Sequence, residues 1–174
     1  MAKTLGYLIT WTTYGTWLPG DPRGFQTREA REYVPPPARY AREGETPYTP
    51  ERYRGRYLHA RTLSGPAARL SPHECRAVLS AIFAEIERLE IVPRALAVGP
   101  THVHLLARFG ALEIRPTVAR LKSAATRSLV RFGRGRPLWC RGCHMKSLFG
   151  EAGLQRATGY VLDHAKEGAV VHAW

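Results

Sequence analysis

The chain has 174 residues and a formal net charge of +12, and arginine supplies 22 of its 26 basic residues. The length fits one domain with a sizeable core, and no apolar run approaches the roughly 20 residues that cross a bilayer, which argues against a membrane protein. Because the guanidinium fork matches phosphate oxygens in a bidentate way, the arginine excess favours nucleic acid as the partner.

The three cysteines predict a reducing compartment. Their odd number gives no disulfide framework, and the N-terminus lacks the apolar region of a signal peptide, so we expect a cytoplasmic protein. Cys140 and Cys143, followed by His144, have a spacing found in zinc sites. A closed zinc site needs four ligands, usually from two such pairs, and the sequence has no second pair, so we do not expect zinc there.

The first strand is predicted at Leu5 to Thr13, which is rich in aromatic and β-branched residues and precedes turn signals. From Asp21 to about Leu70 the chain carries ten arginines, six acids and five tyrosines without any helix or strand period. We therefore expect an irregular insertion at about 21–70, with short helical pieces, ordered partly by its tyrosines and not an independent domain. Such a segment can hold a DNA strand by phosphate contact and base stacking, or it can be a solvated loop.

A helix is predicted from Ser71, as N-cap, to about Glu90, followed by a short strand at Arg94 to Val98. Gly99-Pro100-Thr101 then turns into a second strand that contains His102 and His104. Side chains alternate along a strand, so both imidazoles point to one face. Two such rings can hold a divalent metal ion, or they can be structural histidines.

A second helix is predicted to begin at Pro116, with its apolar and basic residues on opposite arcs. From Arg115 to Lys146 the chain has nine basic residues and no acid, a surface that repels itself without a polyanion opposite. We expect this helix to bring phosphate to the face that carries the histidines. The predicted phosphate contacts are Arg120, Lys122, Arg127, Arg131 and Arg134.

Short strands are predicted around Leu138 to Trp139 and His144 to Leu148, and the final helix at Glu151 to Lys166. The final helix places Tyr160 and His164 one turn apart, a pair that fits simple packing as well as chemistry. The order β-α-β-β-α-β predicts an α+β, ferredoxin-like fold: an antiparallel sheet with two helices on one face, plus the C-terminal helix.

The sequence resembles the single-tyrosine HUH transposases, especially the REP-associated tyrosine transposases. The resemblance is carried by T-H-V-H-L-L at 101–106, the basic helix V-A-R-L-K-S-A-A-T-R-S-L at 118–129, the P-L-W that follows, and Tyr160. W-T-T-Y-G-T-W-L-P-G-D at 11–21 is similar to an opening common among these relatives. The match covers the chain except roughly Gly24 to Leu70, which implies one transposase-like domain over 1–174 with the insertion inside it.

The resemblance implies a metal-dependent endonuclease and strand transferase that acts on single-stranded DNA beside hairpins. Tyr160 would be the nucleophile and would form a covalent 5′-phosphotyrosine. A divalent ion, Mg²⁺ or Mn²⁺, would be held by His102, His104 and His164, since relatives place a third ligand one turn after the tyrosine. The implied partner is single-stranded or hairpin DNA, with Thr12 to Asp21 as a candidate reader of the adjoining strand. The protein would be nucleoid-associated, and either a monomer or a homodimer.

Two other functions remain open at this point. The first is a domesticated, non-catalytic protein that binds hairpin DNA on the same fold. The second is a metal-dependent hydrolase that uses water in place of Tyr160, which would still cut DNA when that tyrosine is replaced.

Overall fold

The computed structural model describes residues 4–26, 33–37, 43–135 and 137–174. Their contacts form two compact units, one of Met1–Thr13 with Arg69–Trp174 and one of Tyr14–Ala68. Residues 27–32 and 38–42 of the predicted insertion lie outside the described residues, and the single transposase-like domain over 1–174 stays a prediction. Within the described ranges, no helix has the length and apolar character needed to cross a membrane.

Seven strands and four helices make up the described chain. The strands are β1 (Gly6–Thr12), β2 (Phe25–Gln26), β3 (Tyr33–Val34), β4 (Val92–Val98), β5 (His102–Arg108), β6 (His144–Leu148) and β7 (Val170–Ala173). The helices are α1 (Pro50–Ser64), α2 (Pro72–Arg88), α3 (Ile114–Leu129) and α4 (Glu151–Asp163).

The larger unit contains a five-stranded antiparallel sheet in the order β6-β1-β5-β4-β7. With α2 and α3, the strands β1, β4, β5 and β6 follow the ferredoxin-like β-α-β-β-α-β order, so the predicted α+β fold class is confirmed. Strand β7, at the edge beside β4, was not predicted. It has only four residues, too few to show a strand period.

The two faces of the sheet carry different helices. On one face, which we call the α2–α3 face, Phe83 of α2 packs on His172 of β7, and Trp139 contacts Trp11 of β1 while its Nε1 donates to Thr126 of α3. The opposite face, which we call the α4 face, joins apolar residues of β1, β4, β5 and β6 to buried residues of α4. The α4 residues in this core are Leu154, Ala157 and Val161.

Helix α2 begins with a complete capping box. The Ser71 hydroxyl accepts the Glu74 backbone N–H at 3.3 Å, and the Glu74 carboxylate accepts the Ser71 N–H at 2.7 Å. The same buried carboxylate forms an ion pair with Arg134, which also donates to the Arg69 carbonyl. Glu74 therefore caps α2 and ties it to the segment after α3.

The smaller unit corrects one expectation. Residues Pro50–Ser64 form a regular helix, α1, of which only Tyr53 is described as buried. A helix that is polar on nearly all sides shows no apolar period, so the pattern indicated irregular chain. Aromatic residues do build the core of this unit: Phe25, Val34, Tyr48 and Tyr53 form one buried cluster.

Some element boundaries also differ. The predicted strand at Leu138 to Trp139 is a single bridge between Thr13 and Trp139. Helix α4 ends at Asp163, and a 3-10 turn continues to Glu167 before Gly168 adopts a left-handed conformation with φ of 82°.

The Glu74 ion pair predicts an acid-sensitive contribution to stability. The Arg134 guanidinium lowers the pKa of Glu74 from 4.5 to about 2, so this contribution is present above pH 4.5 and is lost as the pH falls toward 2. Glu74→Gln keeps a side chain that can complete the capping box but removes the charge. We expect it to lower the free energy of unfolding at pH 7 by about 1–3 kcal/mol.

Urea unfolding from pH 7 to pH 2.5 checks this. The Glu74→Gln variant should lose less stability across the acid range than the wild type. The control is Glu87→Gln, an exposed acid on the same helix that should follow the wild type. Parallel pH curves for wild type and Glu74→Gln would contradict the assignment.

Candidate metal centre

Two histidines stand on the central strand of the sheet. In β5, His102 lies opposite Thr12 and His104 lies opposite Thr10 of β1, while the other neighbour, β4, places Ala97 beside His104. This register puts both imidazoles on the α4 face. The Thr10 hydroxyl lies 2.7 Å from His104 Nδ1, and this hydrogen bond fixes the orientation of the ring.

The third histidine comes from the end of helix α4. The Nδ1 atom of His164 donates to the Tyr160 carbonyl oxygen at 2.8 Å, one turn earlier. A carbonyl can only accept, so Nδ1 carries a proton, and in the neutral imidazole the lone pair is then on Nε2. Ring centroids lie 4.3 Å apart for His104 and His164, 4.9 Å for His102 and His104, and 5.1 Å for His102 and His164.

The three imidazoles fit a divalent metal ion. One potential ligand nitrogen from each lies within 4.8 Å of the others. Tetrahedral zinc ligands at ordinary bond lengths stand about 3.4 Å apart, so modest ring rotations would close the triangle. His102 Nε2 is buried and, among the described atoms, has no hydrogen-bond partner. A buried nitrogen without a partner, in a ring close to two other imidazoles, fits a metal ligand, although an imidazole set is softer than the oxygen ligands Mg²⁺ prefers.

The surroundings of His102 and His104 favour the neutral form of the imidazole, which is the form that binds metal ions. Burial, together with the electrostatic influence of His102 and His164, lowers the pKa of His104 to about 3. Burial also lowers the pKa of His102, with His164 acting in the same direction and Glu167 opposing. Both imidazoles are therefore neutral at neutral pH, and protons do not compete with a metal ion for them.

Tyr160 lies beside this cluster with its side chain 49% exposed. Its ring centroid is 4.7 Å from that of His164 and 5.2 Å from that of His104. Burial of part of the ring, with the negative charge of Glu167, raises the pKa of Tyr160. The phenol is thus protonated at neutral pH, and an attack by its oxygen requires loss of the proton.

Three residues near the site were missed from the sequence. Thr10 orients His104, and an added Cβ at Gly99 would lie 3.3 Å from His102 Cε1 and 3.4 Å from Nε2. Glu167 follows Tyr160 by seven positions and His164 by three. This helical spacing was a usable signal for Glu167, whereas the contacts of Thr10 and Gly99 depend on strand register and on a turn.

Three of the five predicted phosphate contacts have internal partners. Arg120 Nε lies 3.5 Å from a Glu85 carboxylate oxygen, and Arg134 pairs with Glu74. Lys122 Nζ donates to the Cys140 carbonyl at 2.8 Å and to the Gly142 carbonyl, and burial lowers its pKa. The other two, Arg127 and Arg131, line a cavity of about 650 Å³ between α2 and α3.

The expectation that the basic helix lies over the histidines is wrong. Helix α3 packs with α2 on the α2–α3 face, whereas His102 and His104 are on the α4 face. The clean sorting of apolar and basic arcs showed that one side of α3 is exposed, but it held no information about which side of the sheet receives the helix.

The segment predicted to read DNA continues in the smaller unit with an ordered turn. The buried Asp21 carboxylate accepts the Arg23 Nε–H at 2.9 Å, and the guanidinium lies 4.5 Å from the ring centre of the partly exposed Trp17. Cys140 and Cys143 are free thiols, and among the described residues neither belongs to a cluster of three or more potential metal ligands.

Comparison with solved structures finds a REP-associated tyrosine transposase bound to a REP hairpin. The alignment covers 97% of this chain and 72% of that chain, with 11% sequence identity and a TM-score of 0.48. No family model and no curated protein matches the sequence. A similarity at this level carries no argument about function.

The hydrogen bond between Thr10 and His104 leads to a first prediction about metal binding. Thr10→Val keeps the shape of the side chain but removes the oxygen that fixes His104, so Mn²⁺ affinity should fall about tenfold. Isothermal titration with Mn²⁺ measures the change. Thr158→Val, which removes a hydroxyl bonded to the Leu154 carbonyl in α4, is the control and should bind as the wild type does. Equal affinity for Thr10→Val and wild type would contradict this role.

The short distance between Gly99 and the His102 ring leads to a second prediction about metal binding. Gly99→Ala would push the His102 ring by a few tenths of an ångström, and we expect Mn²⁺ binding to weaken several-fold with little change in the melting temperature. Gly153→Ala is the control, because a Cβ there meets nothing within 4 Å. Wild-type Mn²⁺ affinity in Gly99→Ala would show that the ring does not need this space.

Proposed function

We propose that this protein is a metal-dependent enzyme that cuts and rejoins single-stranded DNA beside a hairpin, in the manner of a single-tyrosine HUH transposase. The observation that carries the proposal is the convergence of three imidazoles and a half-exposed tyrosine on one face of the sheet. Of the residues that carry the resemblance, His102 and His104 meet Tyr160 in space, although they lie more than fifty positions apart in the sequence.

The metal ligands would be His102, His104 and His164. A divalent ion bound there, Mg²⁺ or Mn²⁺, would withdraw charge from the scissile phosphate and make its phosphorus more electrophilic. The chain's own contribution is to hold the ligands in place: Thr10 fixes His104, the Tyr160 carbonyl fixes His164, and the hydrogen bonds of β5 to both neighbours fix the backbone of His102.

Tyr160 would carry out the covalent step. Its Oη attacks phosphorus, the bond between phosphorus and the 3′ oxygen breaks, and the products are a 5′-phosphotyrosine and a free 3′-hydroxyl. The phenol loses its proton and the departing 3′ oxygen gains one. Attack of another 3′-hydroxyl on the phosphotyrosine reverses these bonds, so strands are rejoined without ATP.

The substrate and the assembly follow from the same geometry. A base-paired strand would not bend easily into a shallow site on a sheet face, which favours a single strand at Tyr160. The nucleophile and all three ligands belong to one chain. This supports a site that works in cis within a monomer, and a homodimer is not needed to complete it.

The test is a covalent adduct. A pool of labelled DNA hairpins with randomised single-stranded tails is incubated with the protein and Mn²⁺, and adducts are separated on a denaturing gel. We expect an adduct in the wild type, a phosphotyrosine at Tyr160 by peptide mass spectrometry, and a loss of at least about a hundredfold in Tyr160→Phe. Tyr7→Phe, a tyrosine of β1 on the opposite face from the histidines, is the control.

Other outcomes assign the other functions. Cleavage that persists in Tyr160→Phe but disappears in His102→Ala would identify a hydrolase that activates water. Tight hairpin binding without any adduct or cut product in the wild type would identify a non-catalytic DNA-binding protein.

A further inference from the structure

A basic groove lies between α2 and α3, on the face of the sheet that does not carry the histidines. It encloses about 650 Å³, and its lining includes Arg76 of α2, Arg127 of α3 and Arg131 in the turn that follows α3. His73 and the serines Ser80 and Ser128 add polar groups. Among the described residues, no acid lines this groove.

Two acids of α2 form ion pairs with arginines outside the groove lining, although the charge of Arg127 also helps to lower the pKa of Glu85. Glu85 forms ion pairs with Arg88 and Arg120, and Glu74 forms one with Arg134. In the described part of the chain, no ion pair joins an acid to any of the three groove arginines. Arg76 instead contacts His73 Nδ1 at 2.8 Å. The groove therefore holds a surplus of positive charge that a polyanion would neutralise.

The groove suits a phosphate backbone better than unstacked bases. Arginines and hydroxyls are the groups that contact phosphate oxygens, whereas proteins hold single strands largely by stacking bases on aromatic rings. The aromatic residue in the lining is Phe132, and the Arg131 guanidinium lies 5.0 Å from its ring centre. One face of that ring is therefore already occupied by charge.

We propose that the α2–α3 groove binds the phosphate backbone of the double-stranded stem of the DNA, while the single strand enters the metal centre on the α4 face. The choice of hairpin DNA as the partner rests on the proposed function. No sequence pattern gave a reason to select Arg76, because helix α2 carries both acidic and basic residues. Only the packing of α2 on α3 brings Arg76 close to Arg127 and Arg131.

The test uses a blunt DNA hairpin without a single-stranded tail, in buffer with EDTA, and measures binding by fluorescence anisotropy at several salt concentrations. The variant Arg127→Gln/Arg131→Gln should bind about tenfold more weakly near 0.15 M salt, and the slope of log K against log salt should fall by about 2. Arg76→Gln, a separate change on the other helix, should weaken binding about threefold and lower the slope by about 1.

The control is Arg108→Gln/Arg156→Gln, which removes the same charge from exposed positions of β5 and α4 in the same unit and should change the affinity less than twofold. Circular dichroism verifies that each variant is folded. The proposal is overturned if the groove variants bind as the wild type does, if the Arg108→Gln/Arg156→Gln control loses as much affinity, or if a single strand of equal length binds as tightly and shows the same losses. The assay contains no metal and no scissile tail, so its result is independent of whether Tyr160 cleaves DNA.

Discussion

The alternation of side chains along β5 is the constraint on which the site depends. Val103 and Leu105 are fully buried under the helices of the α2–α3 face, and the strand is hydrogen-bonded on both sides. His102 and His104 must then project from the other face, because a slip of one residue would pull two core side chains into the site and bury two imidazoles in the core. The apolar core on one side of the sheet thus sets the direction of the ligands on the other.

This constraint also separates two kinds of surface. The α4 face concentrates three imidazoles and a phenol, groups whose chemistry depends on short distances and partial burial. The α2–α3 face concentrates permanent charge, which acts over longer distances and tolerates imprecise placement. Locating the arginines on the far side of the sheet also keeps their positive charge away from the histidines, where it would oppose the binding of a cation.

The secondary structure of the larger unit was largely predictable because it is encoded locally. Ser71 with Pro72 marks the start of a helix, Gly99-Pro100 marks a turn, and periods of two and 3.6 identify the strands and helices between them. The neighbourhood of His102 with His104, and of Tyr160 with His164, also follows from those periods. The face of the sheet on which α3 packs could not be predicted, because amphipathicity shows that one side of a helix is buried but not which surface covers it. The prediction of Lys122 as a phosphate contact failed to foresee its internal partners. A loop later in the chain brings the carbonyls of Cys140 and Gly142 to its ammonium group, and no sequence pattern shows this contact.

The hydrogen bond from His164 to the Tyr160 carbonyl joins the two halves of the proposed chemistry mechanically. One helical turn carries both the nucleophile and a ligand, while the other two ligands belong to the sheet. A displacement of α4 would withdraw the phenol and open the imidazole triangle in a single movement, and its return would restore both. The packing of one helix on the sheet therefore sets the distances of the nucleophile and of the third ligand from β5 together.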